Sequence, residues 1–285
     1  MAVGSGVERS RTTGAGTVRK AVILARGLGT RMRRADHVAT QDSRQAAVAD
    51  TGLKAMIPVG RPFLDYVLSA LADAGIADAC LVVGPEHGEV REHYTRRAPP
   101  ERLRVHFAIQ ERPRGTADAV ASAEAFAGRD VFLMLNSDNY YPVAALTALA
   151  ALRCPAVAAF ERDALVREAG IAPERVGQFS VLDLQDGWLR RLVEKPDEAT
   201  LAAFTQPVYV GMNCFAFGPA IFEACRAVGP SPRGELELTD AVRHSIDVLG
   251  ERYRALTFAL PVLDLSTRAD IAQVAARLRG VEVHP

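Results

Sequence analysis

The stretch Ala21–Met32 reads AVILARGLGTRM and joins an apolar run to a glycine-rich turn. Its first part, Ala21–Ala25, shows no alternation of apolar and polar residues, which is typical of a strand buried on both faces. Gly27 and Gly29 then allow a sharp turn that exposes backbone N–H groups, and Arg31 adds a cationic side chain. A strand that ends in such a turn is suited to binding a polyphosphate.

Two known phosphate-binding motifs do not fit this turn. The dinucleotide fingerprint requires a third glycine at the position of Met32, and the P-loop requires a Gly-Lys-Ser/Thr sequence that is absent here. An ordinary strand-to-loop turn is the alternative from these residues alone, because glycine is common in such turns.

The composition argues against several classes of partner. Lys plus Arg and Asp plus Glu both number 34 in 285 residues, so there is no bulk attraction for nucleic acid or an anionic membrane. No apolar run approaches the roughly 18 residues that span a bilayer. The four cysteines lack metal-binding spacing, which predicts reduced thiols and a cytoplasmic protein. The Gly/Ser/Thr/Arg-rich residues 1–18 predict a flexible tail.

Apolar runs and turn signals predict an α/β fold. A helix that begins at Pro62 and ends at Gly75 separates the first strand from a second one, Ala79–Val83. This strand–helix–strand order implies a parallel crossover. Val131–Leu135 is the most apolar run and is predicted to be a central strand. Asp186-Gly187 predicts a two-residue hairpin turn, so an antiparallel ribbon follows the parallel part.

Charged residues at strand ends are candidates for a site. Asp138 follows the central strand, at the edge where open α/β sheets bind ligands, and a carboxylate there commonly holds a divalent metal; an Asx turn is the alternative. Asp264 also ends a strand and is left free for another role, because Thr267 and Asp270 predict a capping box. Lys54 enters an apolar run shortly after the glycine turn and can reach the same anion, although such lysines usually extend to solvent.

Two further segments are interpreted from their composition. Thr116 is predicted to be the N-cap of an alanine-rich helix that extends to about Phe126, and Gly115 permits a close approach. The small residues leave room for a flat group such as a base, or pack the helix tightly on the sheet. Arg33–Gly52 is polar with little periodicity, which predicts a mobile loop beside the glycine turn or a surface insertion without function.

In their order and rough spacing, these features resemble the sugar-1-phosphate nucleotidyltransferase family over about residues 19 to 278. The residues that carry the resemblance are Gly27-Leu28-Gly29-Thr30-Arg31-Met32, Lys54 with Pro58, Gln110 with Gly115, Asp138-Asn139, Glu194-Lys195-Pro196, Asn213, Glu237-Leu238-Thr239-Asp240, and Asp264 before Ser266-Thr267. The resemblance implies a three-layer, Rossmann-like α/β fold of the GT-A-like nucleotide-diphospho-sugar transferase type, with helices on both faces of a mixed, mainly parallel sheet. It implies one domain over 19–285, with a nucleotide-binding part at about 19–150, a sugar-phosphate-binding part at about 151–265 and a C-terminal helix at 266–280.

The resemblance also implies an activity and a set of site residues. An NTP and a sugar 1-phosphate are the implied partners and give an NDP-sugar and pyrophosphate, with Mg²⁺ as cofactor; a homo-oligomer is possible. The implied catalytic residues are Arg31, Lys54 and Lys195. The implied nucleotide-binding residues are Ala25, Gly27, Leu28, Gly29, Thr30, Arg31, Gln110, Gly115 and Thr116. The implied sugar-phosphate ligands are Asn139, Glu194, Lys195 and Asn213, and the implied metal ligands are Asp138 and Asp264.

Gln110 bears on the choice of nucleotide. An amide both donates and accepts, so it can pair with the edge of uracil or thymine, which favours UTP or dTTP. Thr116 stands where many thymidylyltransferases have an apolar residue, which favours UTP slightly. The alternatives are a guanylyl- or cytidylyltransferase of the same fold, a catalytically silent nucleotide-sugar sensor, and an NAD-dependent oxidoreductase, which Met32 disfavours.

The sequence departs from the family pattern at three places. Arg26 stands where the family usually has a small residue, and it is predicted either to contact phosphate or to point into solvent. Asn136-Ser137 stands where a glycine usually precedes the metal-binding aspartate. The segment between Arg31 and Lys54 is longer than in the compact thymidylyltransferases.

Overall fold

Each apolar run that predicted a strand forms one, with small shifts at its ends. The computed structural model describes residues 17–34, 42–194, 196–202 and 204–285, so most of the predicted tail lies outside the described residues. The strands are β1 (Lys20–Leu24), β2 (Asp78–Val83), β3 (Arg104–Ile109), β4 (Phe132–Asn136), β5 (Asn139–Tyr140), β6 (Ala156–Glu161), β7 (Ser180–Gln185), β8 (Trp188–Val193), β9 (Tyr209–Phe217), β10 (Tyr253–Phe258) and β11 (Leu263–Asp264).

Nine of these strands form one mixed sheet in the order β3-β2-β1-β4-β9-β6-β10-β8-β7. The first four strands are parallel, and β6 is parallel to β10. β9 runs antiparallel between β4 and β6, and it also pairs with β7. The last five strands of this order therefore close on themselves beside the parallel part. β5 and β11 form a separate two-stranded ribbon.

The helices lie on both faces of the sheet. They are α1 (Thr30–Arg33), α2 (Ser43–Thr51), α3 (Phe63–Asp73), α4 (Gly88–Glu92), α5 (Thr116–Ala121), α6 (Glu124–Ala127), α7 (Val143–Ala151), α8 (Arg162–Arg167), α9 (Pro173–Val176), α10 (Glu198–Ala202), α11 (Ala220–Ala227), α12 (Leu238–Asp247) and α13 (Arg268–Leu278). A 3-10 turn covers Lys54–Met56, and a π-helical turn, His93–Arg97, continues α4.

Alternate residues of the central strands face two separate apolar layers. Ile23 of β1 packs in the layer that holds α3, α7 and α13, whereas its neighbour Val22 packs in the layer that holds α5, α11 and α12. Leu133 and Phe132 of β4 divide in the same way. A strand buried on both faces needs apolar residues at every position, which is why these runs show no alternation. The predicted three-layer α/β architecture is confirmed.

Two local predictions are wrong. Residues 43–51, within the segment predicted to be a loop, form α2, which begins with a capping box between Asp42 and Gln45. The Asp-x-x-Gln spacing was the available signal for this helix. Thr116 is the first residue of α5 and not its N-cap, which is Gly115. This helix ends at Ala121, and α6 follows separately.

The capping box at the last helix and the hairpin turn are confirmed. Thr267 is the N-cap of α13, with Asp270 as the partner of the box. Asp186 and Gly187 both have positive φ, at 53° and 76°, as a two-residue turn of type I′ requires. No helix in the described ranges combines the length and apolarity needed to cross a bilayer.

We expect Phe132→Ala to lower the free energy of unfolding by about 3–5 kcal/mol, because its removal leaves a cavity in the core. Phe132 is fully buried and stacks on Phe222 with ring centroids 5.5 Å apart. Urea denaturation followed by circular dichroism measures the change. Val248→Ala is the control, because Val248 is 66% exposed. An equal loss in both variants would contradict the assigned packing.

Candidate active site

The order of the parallel strands brings the glycine turn and the predicted metal ligand together. β1 and β4 are neighbours, with Leu24 opposite Asn136, so their carboxyl ends meet at one edge of the sheet. The N–H of Ser137 donates to the carbonyl of Leu24 at 3.1 Å and joins the two loops that leave these strands. The residues Asn136-Ser137 thus take a regular position beside β1, although the family pattern has a glycine there.

A first cavity of about 290 Å³ lies at this edge. It contains most of the residues predicted to bind nucleotide together with two other predicted residues, namely Ala25, Gly27, Leu28, Thr30, Lys54, Gln110, Gly115, Thr116 and Asp138. Gly29 has a different role. Its φ is +60°, and a Cβ on it would stand 2.3 Å from the carbonyl oxygen of Gly52, so it allows the turn to pack against the end of α2.

Gly115 and Thr116 also have structural roles at the border of this cavity. The φ of Gly115 is +122°, and a Cβ there would lie 2.4 Å from the carbonyl oxygen of Leu236. Thr116 Oγ1 accepts a hydrogen bond from the N–H of Leu238 at 2.9 Å. The close approach that Gly115 permits is therefore to the backbone of the Gly234–Asp240 segment, which forms one wall of the site.

Arg26 lines the first cavity and does not point into solvent, which was one of the two positions predicted for it. Its guanidinium donates to both carboxylate oxygens of Glu86, at 3.1 and 3.2 Å, and to the backbone carbonyl of Gln110. The side chain is only 7% exposed. Arg26 therefore ties the glycine turn to the loop after β2 and to the end of β3, and it does not point into solvent.

A second cavity of about 330 Å³ adjoins the first. It contains the remaining described site residues, which are Arg31, Asn139, Glu194, Asn213 and Asp264. Four residues line both cavities, namely Thr116, Asn136, Asp138 and Glu235. Asp138 thus stands where the cavities meet. Lys195, predicted to bind here, lies outside the described residues.

Lys54 and Asn213 have distinctive local geometry. Lys54 Nζ lies 2.7 Å from Asp138 Oδ2, so the predicted cation is within reach of the junction between the cavities. Asn213 has a φ of 52° inside β9, which is rare for a residue other than glycine. Such strained backbone is often found at functional sites.

The second predicted metal ligand takes no part in the capping box, as expected, and it has other partners. Asp264 forms an ion pair with Arg175 of α9, and it accepts hydrogen bonds from Ser266 Oγ at 2.8 Å and from Asn139 Nδ2 at 3.2 Å. Arg175 also binds Asp270, at 2.6 Å. Sequence reasoning missed Arg175, because an arginine in a short helix of a polar segment resembles any exposed arginine.

Asp138 and Asp264 lie on adjoining segments. Asp264 pairs with Asn139 in the small ribbon, and the N–H of Leu265 donates to the carbonyl of Asp138 at 2.8 Å. Burial, and then the nearby charge of Asp138, raise the pKa of Asp264, while Arg175 opposes this shift. Two carboxylates in such a position are suited to sharing one hard divalent cation.

Arg233 and Glu237 are further residues of the second cavity that received no role from the sequence. Arg233 Nη2 lies 2.8 Å from Glu237 Oε1, so this cation is held by a neighbour on its own segment. Glu237 begins the Glu237-Leu238-Thr239-Asp240 motif, which belongs to the family resemblance but carried no assigned role, and no sequence pattern pointed to Arg233.

Comparison with known proteins gives the family. The family model described as Nucleotidyl transferase matches residues 20–258. Over 232 residues the chain is 37% identical to a glucose-1-phosphate thymidylyltransferase of Streptomyces antibioticus, covering 80% of this chain and 57% of the relative. Over 227 residues it is 30% identical to the UTP--glucose-1-phosphate uridylyltransferase AglF of Haloferax volcanii, covering 78% of this chain and 82% of the relative. The chain spans a little over half the length of the first of these relatives.

Solved structures show the same fold. A UDP-glucose pyrophosphorylase complexed with UDP-glucose superposes with a TM-score of 0.72 and 20% sequence identity, covering 93% of this chain and 100% of the other. A UTP-bound enzyme of Acinetobacter baumannii gives a TM-score of 0.70 at 18% identity, covering 94% and 96%.

We expect Arg175→Ala to lower the free energy of unfolding by about 3 kcal/mol, because Asp264 would be left buried beside Asp138 without its cation. Denaturant unfolding measures the loss. The double variant Arg175→Ala/Asp264→Asn should recover part of it, since the unpaired charge is then removed.

Arg167→Ala is the matched control, because Arg167, the last residue of the preceding helix α8, forms an exposed pair with Glu168 at 3.4 Å. Its effect should stay within about 0.5 kcal/mol. A double variant that is no more stable than Arg175→Ala would show that the arginine acts by packing alone.

Proposed function

The chain belongs to the nucleotidyl transferase family, and we propose that it transfers the nucleotidyl group of UTP or dTTP to a sugar 1-phosphate, which yields an NDP-sugar and pyrophosphate. The single observation that supports this most strongly is the pair of adjoining cavities with Asp138 at their junction. A nucleotide in the first cavity and a sugar phosphate in the second would meet at this carboxylate.

The first cavity suits a nucleoside triphosphate. The glycine turn offers backbone N–H groups, the short helix α1 begins at Thr30, and Lys54 supplies a cation. Gln110 and Gly115 line the same cavity, where the base would lie. Both the uridylyl- and the thymidylyltransferase among the relatives are consistent with a pyrimidine, and we propose both UTP and dTTP as substrates to be tested.

The second cavity suits a phosphorylated sugar. Glu194 and Asn213 offer an acceptor and an amide for sugar hydroxyls, and Arg31 and Arg233 offer cations for the phosphate. The role of Lys195 as a phosphate ligand stays a proposal from its place in the Glu194-Lys195-Pro196 motif.

The reaction requires charge compensation more than proton transfer. The sugar phosphate is largely ionised near pH 7, since its second pKa is about 6, so it needs no general base. One of its oxygens attacks the α-phosphorus of the NTP, the P–O bond to the β-phosphate breaks, and pyrophosphate leaves with the electron pair. Lys54 and Arg31 would reduce the repulsion between the two anions and hold them in line.

The acidic pair fits a magnesium ion. Asp138 and Asp264 provide hard oxygen ligands, and Mg²⁺ commonly binds through one or two carboxylates together with substrate phosphates. Within the described ranges, no three His, Cys, Asp or Glu residues gather where they could hold a metal ion. When bound, Mg²⁺ neutralises charge on the phosphate oxygens. Lys54, bound to Asp138, and Arg175, bound to Asp264, keep the carboxylates in place without it.

We expect pyrophosphate release when the protein is incubated with Mg²⁺, UTP or dTTP, and one member of a panel of sugar 1-phosphates. ATP, GTP and CTP are tested in parallel with the same sugar 1-phosphates, so that the assay also identifies a guanylyl- or cytidylyltransferase. Asp138→Asn should lower turnover by roughly two orders of magnitude or more, because a ligand at the reaction centre loses its charge.

Asp183→Asn is the control for that variant, because Asp183 pairs with Arg191 at 2.9 Å on the hairpin, outside both cavities. Its activity should match the unmodified protein. Full activity of Asp138→Asn would remove the metal assignment. Binding of a nucleotide sugar without release from any pair of substrates would favour a sensor.

Because each substrate is assigned to its own cavity, a substitution in one cavity should change KM only for the substrate bound there. Glu194→Ala should raise KM for the sugar 1-phosphate by about tenfold and leave KM for the NTP unchanged, because a typical ligand hydrogen bond contributes about this factor. Gln110→Ala should raise KM for the NTP and leave KM for the sugar 1-phosphate unchanged. Steady-state kinetics with each substrate varied in turn measures both. If either variant changes both constants equally, the assignment of the cavities is wrong.

A further inference from the structure

Gln110 faces the base end of the first cavity with a fixed amide. The residue is 3% exposed and follows β3 directly. Its Nε2 donates to the carbonyl oxygen of Gly115 at 3.0 Å and to Asp118 Oδ2 at 2.8 Å. A carbonyl oxygen and a carboxylate can only accept hydrogen bonds, so both partners require the NH₂ group on their side of the amide. The two hydrogens of Nε2 are thereby used.

The amide oxygen is left for the cavity. Gln110 Oε1 accepts no hydrogen bond from any residue that the structure describes. Among the described residues, the buried side-chain atoms that lack a hydrogen-bond partner are His93 Nε2, Arg162 Nε and Arg175 Nε. Gln110 Oε1 is not one of these buried atoms. Because Gln110 lines the first cavity, this oxygen is open to that space and offers it an acceptor alone.

The backbone of Gln110 is fixed as well. Arg26 donates to its carbonyl oxygen, and the same guanidinium is bound by both oxygens of Glu86. The N–H of Gln110 donates to the carbonyl of Val83 at 2.9 Å. The main chain and the side chain are thus held by independent contacts, so the protein itself fixes the orientation of the amide and does not require a ligand to set it.

We propose that Asp118 is a positioning residue that makes the first cavity discriminate between pyrimidines, selecting uracil or thymine over cytosine. Uracil and thymine carry a hydrogen on N3, which can donate to Gln110 Oε1. Cytosine has a bare N3 and carries its donor on the exocyclic N4 amine, so a cytosine held in the same position would place its N3 acceptor against this acceptor. This inference deepens the proposed function and rests on it for the assignment of the first cavity to the nucleotide.

Asp118 acts through Gln110 and need not touch the base. Without the carboxylate, one of the two contacts that fix the amide is lost, and rotation of the amide by a half turn would present Nε2 to the N3 of cytosine. The carboxylate is therefore expected to alter the ratio of UTP to CTP more than the rate with UTP. A merely structural role in α5 would change both nucleotides equally.

The test is the ratio of kcat/KM for UTP to that for CTP, measured at one fixed sugar 1-phosphate. In Asp118→Ala this ratio should fall by about tenfold, the order expected for one hydrogen-bond partner. Asp118→Glu keeps a carboxylate and should recover most of the ratio. Glu124→Ala is the control, because it removes a carboxylate from the next helix that pairs with Arg226 and not with Gln110. An unchanged ratio in Asp118→Ala, or the same fall in Glu124→Ala, would overturn the proposal.

A measurement of nucleotide binding tests this inference independently of the proposed reaction. Calorimetric titration of UTP and CTP gives the ratio of their two dissociation constants, which measures the same discrimination without turnover. If the unmodified protein binds UTP but releases no pyrophosphate with any sugar 1-phosphate, the proposed reaction fails while the ratio still tests Asp118. If it binds CTP as tightly as UTP, the selection by Gln110 Oε1 is wrong; if it binds neither, the assignment of the first cavity to the nucleotide is wrong, and the inference falls with it.

Discussion

The constraint on which the site depends is the placement of two carboxylates beside each other, with Asp264 buried and Asp138 at the junction of the two cavities. Asp138 and Asp264 carry like charges on adjoining segments, and burial raises the pKa of Asp264. Each acid is paired with one cation, Asp138 with Lys54 and Asp264 with Arg175, and these ion pairs stabilise the two charges. The two cations come from distant parts of the chain, so the charge balance exists only after the sheet and its connecting loops have formed.

This constraint also explains why the two cavities meet where they do. Asp138 leaves the central strand β4 next to the glycine turn of β1, which defines the first cavity. The ribbon of β5 and β11 then brings Asp264 back to the same point from the end of the chain, beside the strand β9 that carries Asn213. One short segment after β4 thus belongs to both cavities, and a reaction between two bound anions needs that kind of shared border.

Much of this arrangement could be predicted from the sequence, because it depends on local patterns and on one topological rule. Unbroken apolar runs identified the buried strands, and Asp186-Gly187 identified the hairpin turn. The rule that ligands bind at the carboxyl ends of parallel strands placed Asp138 beside the glycine turn. The family resemblance supplied residues of the second part, where local patterns alone could not order the antiparallel strands.

The contacts that escaped prediction are long-range pairs between charged groups. Arg26 and Glu86 are 60 residues apart, and Arg175 and Asp264 are 89 residues apart. No spacing in a sequence distinguishes these arginines from those on the surface, because the partner is chosen by the order of strands in the sheet. Asp118 escaped prediction for a different reason: it lies only eight residues from Gln110 but looks like an ordinary acid in the first turn of a helix. Its contact with Gln110 follows from α5 beginning just beyond the end of β3, and this placement turns a common helix residue into one that can decide which base is bound.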